Sequence, residues 1–82
     1  MIPSKRSAFE QWIGLLQAAF VRAGVPERRA HTLALLVESS LEGLMVIARA
    51  TRDRAPVLAV ADEVAALIEG ALLTSSAAAA AR

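Results

Sequence analysis

The stretch from Pro26 to Ala50, PERRAHTLALLVESSLEGLMVIARA, constrains this chain more than any other. Set on a helix, Ala30, Leu33, Val37, Leu41, Leu44 and Ala48 form one apolar stripe, the usual core-facing face of an amphipathic helix. Beside it, Thr32, Leu35, Ser39, Gly43, Val46 and Ala50 recur at steps of three and four, and Leu36 and Ile47 join the two faces. Only a narrow strip of Glu27, His31, Glu38, Glu42 and Arg49 is left for water. A helix apolar nearly all round is buried on more than one side. In a chain of 82 residues few other elements can do the covering, so the second face calls for a partner.

The hydrophobic fraction is 56% while aromatics make up 4%, so the excess is Ala, Leu and Val, which favours helix over strand. A net charge of +1 argues against a strongly basic nucleic-acid surface. The absence of cysteine rules out a disulfide framework and suits a cytoplasmic protein. Glu38 and Glu42 interrupt the long apolar helix, and Asp62, Glu63 and Glu69 interrupt the next. No membrane span is therefore expected. Lys5 and Arg6 have no uninterrupted apolar run behind them, so no secretory signal is expected either.

Taken in order, the chain reads as a single all-α domain of three helices over 8–23, 26–52 and 56–73, with 74–82 as a fraying tail. Met1 to Arg6 is a short polar lead-in. Ser7 and Glu10 have the spacing of a capping box that opens the first helix. Gly24 fits a left-handed helix end, and Pro26 the first position of the next helix. The tight turn between them predicts an antiparallel hairpin. Charge density over 52–54 and Pro56 end the long helix, and Pro56 again suits a first helical position.

Catalytic chemistry is poorly supplied. His31 is the only histidine and belongs to the solvated strip, and no metal-ligand, phosphate-loop or nucleophile motif is present. Neither catalytic residues, nor a metal, nor a cofactor are expected. Glu38 and Glu42 share a face, but one helix supplies too few ligands for a hard cation. Trp12, Leu16 and Phe20 on the first helix are the candidates for bordering a ligand pocket, against the plainer reading of an aromatic stripe as core. Gly43 costs its helix about 1 kcal/mol relative to alanine, and with Ser39 and Ala50 it predicts a shallow groove for a close helix crossing.

Glu42-Gly43-Leu44, Ala48-Arg49-Ala50, Arg52-Asp53-Arg54-Ala55-Pro56-Val57 and the run from Val60 to Leu67 resemble the C-terminal domain of TetR-family transcriptional regulators. The nearest branch is the LmrA/YxaF-like one. Phe9-Glu10-Gln11-Trp12 and Ala23-Gly24-Val25-Pro26 extend the likeness over about 7–73. The resemblance implies a ligand-sensing and dimerisation domain, cytoplasmic, with a small hydrophobic effector and a homodimer. Its last two helices pair with their copies in a four-helix interface. The interface candidates are then Leu35, Ser39, Gly43, Val46 and Ala50 on the second helix and Val64 and Ile68 on the third. Regulators of this family begin with a three-helix DNA-binding domain, and these residues do not supply its helix-turn-helix. The expectation is a C-terminal fragment or truncated product that does not bind DNA by itself. A free-standing dimeric helical interaction module is the alternative.

Overall fold

The computed structural model describes residues 4–81, apart from the side chain of Ala79, and shows three helices and no strand among them. Met1 to Pro3 of the expected lead-in and Arg82 of the expected tail lie outside the described residues.

The first helix, α1, spans Lys5–Arg22 and opens one turn earlier than the capping-box spacing predicts. Ser4 is its N-cap: the Ser4 hydroxyl accepts from the Ser7 backbone N–H at 3.1 Å and donates to Ser7 Oγ at 3.0 Å. Lys5 and Arg6 are good helix formers, and Ser4 offers the same capping oxygen ahead of them. Glu10 accepts instead from Arg6 Nε at 3.0 Å, an exposed pair one turn apart worth a few tenths of a kcal/mol, on the order of 0.3 to 0.5.

The end of α1 follows the expectation. Gly24 has φ of 100°, its N–H donates to Val21 O at 3.0 Å, and the Val25 N–H donates to Phe20 O at 3.0 Å. Those are the two bonds of a Schellman end, and Val25 and Phe20 meet in the core beneath it.

The second helix, α2, spans Glu27–Thr51. Pro26 stands at its N-cap and not inside the first turn, because its ψ of 145° is still extended. Its carbonyl accepts from the Ala30 N–H at 2.8 Å, and Glu27 places a negative charge against the positive helix end. At the far end Arg52 takes the left-handed conformation (φ 53°, ψ 30°), donating its N–H to Ala48 O at 2.9 Å.

The third helix, α3, spans Arg54–Ala80, longer at both ends than 56–73. Asp53 Oδ1 accepts from the Ala55 N–H at 3.0 Å and so caps the first turn. Pro56, as the third helical residue, needs no N–H there, since the first turn has no intrahelical acceptors. The tail is helical, not frayed. Alanine is the best helix former, and Ala71 and Ser75 are buried against the rest of the molecule.

The helices lie side by side in a flat body of 47 × 39 × 13 Å, with α2 in the middle packing against both neighbours while α1 and α3 touch only marginally. Ile13, Phe20, Val25, Ala30, Leu33, Ala34 and Ala71 form the core, flanked by Leu16, Val37, Ile68 and Leu72. Ala30 and Ala34 are fully buried in this core, where their short side chains leave room for residues of both neighbouring helices. His31 Nδ1 donates to Gln17 Oε1 at 3.1 Å, which ties the same two helices at the surface. No helix among the described residues is long and apolar enough to cross a membrane.

Candidate functional site

A flat body leaves both of its broad sides open, and α2 carries apolar residues to each. On one side lie Leu35, Ser39, Gly43, Val46 and Ala50, all exposed, with Val46 at 58% of its free surface. Successive members are three or four residues apart, so they form a continuous row. A Cβ built on Gly43 meets nothing within 4 Å, so the space over the glycine is open. The hydroxyl of Ser39 is turned back to its own helix, donating to Leu36 O at 3.1 Å. Next to this row Phe9 of α1 joins Thr32, Leu35, Leu36, Glu38, Ser39 and Glu42 around a shallow cleft.

A groove of about 470 Å³ lies between α2 and α3, lined by Val37, Ser40, Leu41 and Leu44 from one helix and Ala61, Val64, Ala65, Ile68, Glu69 and Leu72 from the other. Val37, Ile68 and Leu72 of this lining also pack against the core.

The sequence-predicted residues distribute over these surfaces as follows. Of Trp12, Leu16 and Phe20, Phe20 is buried in the core and Leu16 packs on it, while Trp12 is 45% exposed. The interface candidates divide. Leu35, Ser39, Gly43, Val46 and Ala50 share the open row, whereas Val64 and Ile68 are half-buried and line the groove between α2 and α3. Ser40, Leu41, Leu44 and Glu69 were not singled out as a set from the sequence. Leu41 and Leu44 read there as plain core stripe, and Glu69 as one of the charges that interrupt the third helix. No cluster of His, Cys, Asp and Glu able to hold a metal ion occurs among the described residues.

Comparison with known proteins bears on the whole of this region. Residues 4–63 match the family model of the transcriptional regulator LmrA/YxaF-like C-terminal domain, a span that takes in α1, α2 and the first part of α3. Two relatives from Mycobacterium tuberculosis are each 39% identical to the chain over 56 residues, which is 68% of this chain and 29% of theirs. They are the uncharacterized HTH-type transcriptional regulators MT0206 of strain CDC 1551 and Rv0196 of strain H37Rv. The chain therefore spans less than a third of the length of these relatives. No solved structure matches it.

Proposed function

Because the chain belongs to the LmrA/YxaF-like C-terminal domain family of transcriptional regulators, we propose that it serves as the dimerisation and effector-binding portion of a TetR-like repressor. The observation that carries this reading is the row from Leu35 to Ala50. Five residues along the middle helix, four of them apolar or lacking a side chain, stand in water on one side of a thin molecule. Contiguous apolar surface of this kind marks an interaction site, and a two-fold axis lets one such row cover its own copy. Gly43 and Ser39 keep the middle of the row low, which permits a close crossing of two α2 helices.

Light scattering and sedimentation of the chain test the dimer. The expected species has twice the chain mass and dissociates only as the helices melt, since interfaces of the obligate kind are core-like and carry much of the fold's stability. A stable, folded monomer at micromolar concentration would overturn the reading. Operator recognition in such a regulator is the task of a helix-turn-helix, which places a recognition helix in the major groove, whereas the family model that residues 4–63 match is that of the C-terminal domain. In a gel-shift assay the chain by itself is expected to leave DNA unretarded at moderate salt.

A further inference from the structure

Ser75 is the one buried polar side chain among the described residues, 7% exposed. Serine and threonine inside a helix ordinarily turn the hydroxyl back on a carbonyl of the preceding turn. Thr32, Ser39, Ser40, Thr51 and Thr74 all do so here, at 2.7 to 3.4 Å. The Ser75 hydroxyl makes no such bond among the described residues, and its oxygen is not sealed off from solvent either. The little surface it keeps opens on a cleft of about 150 Å³, bounded by Thr74, Ser75 and Ala78 of α3 and by Gly24, Pro26 and Arg29 at the start of α2.

That cleft meets the uncapped end of a 25-residue helix. The first N–H groups of a helix have no intrahelical acceptor, and the N-cap, Pro26, has no side chain that could serve instead. Intrahelical bonding begins with the Ala30 N–H on Pro26 O, so the N–H groups of Glu27, Arg28 and Arg29 are left over. Arg29 borders the cleft and forms no ion pair among the described residues. Against these donors, and against the positive end of the helix dipole, stands one acid in the first turn, Glu27. The Thr74 hydroxyl gives its proton to Gly70 O, whereas that of Ser75 is free to donate. An oxyanion accepts from all of these groups at once, as anions at helix N-termini do. The cleft has the volume of about five liquid waters, well under the roughly 300 Å³ of a drug-sized site, so it admits one compact group. We propose that it binds a single phosphate group, whose several oxygens use the N–H groups, the hydroxyl and the guanidinium together where a carboxylate has only two. Phosphate held there would tie the distal end of α3 to the α1–α2 turn. No residue of this cleft belongs to the row on α2 or to the groove between α2 and α3, so the proposal stands apart from the dimer.

The test is a titration of the chain with sodium phosphate, methyl phosphate and sodium acetate at pH 7.5, each held at constant ionic strength with sodium chloride. Binding is read from the backbone amide resonances of Glu27, Arg28 and Arg29. Phosphate is expected to move these amide protons downfield and saturably at millimolar concentration, with acetate about tenfold weaker. Ser75→Ala keeps a small side chain in the core and is expected to weaken phosphate about tenfold, the worth of one hydrogen bond to a charged group. Arg29→Gln, at an exposed position, is expected to weaken it several-fold and to flatten its dependence on salt. Circular dichroism melts establish that both variants fold. Methyl phosphate binding as well as the free ion identifies an esterified phosphate as ligand, and its exclusion identifies the free ion; both support the site. No saturable shift, shifts that chloride alone reproduces, acetate as tight as phosphate, or a half-saturation unmoved in both variants would overturn the proposal.

Discussion

Gly43 stands mid-helix with open space over it, so the sign of a substitution there reports what covers α2. In a lone chain Gly43→Leu gains nearly 1 kcal/mol of helix propensity. At a close helix crossing it costs about 1 to 3 kcal/mol by overpacking. The expected outcome is the second: a lower melting temperature together with dissociation in light scattering. A variant that stays dimeric and melts higher would put the interface elsewhere. Gly24 is the opposite case, constrained by its own φ of 100° and by no neighbour. Gly24→Ala is expected to lose about 1 kcal/mol in denaturant titration, and a neutral result would mean the Schellman turn rearranges. Phe20 is legible from the sequence as an apolar residue but not as a structural one with no surface left for a ligand. Phe20→Ala is expected to cost about 3 to 5 kcal/mol, a large share of the stability of a domain this small, and to appear as loss of cooperative melting. Trp12 reads identically in the periodic pattern yet is half in water. The pattern ranks residues by position around one helix and does not know how far the neighbouring helix extends.

At the scale of the element, periodicity and breakers located all three helices, while local capping chemistry moved their ends. Ser4 displaced Ser7 as a cap because both offer a hydroxyl and the earlier one keeps three more residues helical, Lys5 to Ser7. The departure of most consequence is α3, which continues through residues that look like a low-complexity tail. What decides it is burial remote in sequence: Ala71 and Ser75 are covered by the rest of the molecule, and Thr74, Ser75 and Ala78 border a small cleft whose other wall is Gly24, Pro26 and Arg29 at the start of α2. Removing residues 74–82 is therefore expected to lower stability by about 1 kcal/mol and to lose helix content by circular dichroism. An unchanged melt would restore the idea of a passive tail. The joint between α2 and α3 is equally specific. Arg52 holds a left-handed conformation that costs an ordinary residue about 1 kcal/mol, so Arg52→Gly is expected to raise the melting midpoint by a few degrees. A lower midpoint would show that the arginine side chain repays its strain.

For the molecule as a whole, the sequence indicated that one face of the middle helix is left over, and the structure leaves large apolar side chains exposed on all three helices. Leu67 and Leu73 of α3 are more than 60% exposed as well, at 64% and 68%. The angle between two helices is not written in the periodicity of either, so the groove and its volume were not legible. They depend on which small residues happen to face which large ones across a gap. The pinning of α3 has a mechanical meaning. One end is fixed by the two-residue joint at Arg52 and Asp53, and the other rests on the α1–α2 turn. Twenty-seven residues of helix span about 40 Å between those supports. A rod held at both ends cannot swing freely about either. It bows, as a bridge deck does under a load at mid-span, and the deflection is felt at the abutments. The load on α3 is thus shared between the joint and the α1–α2 turn, at opposite ends of the helix.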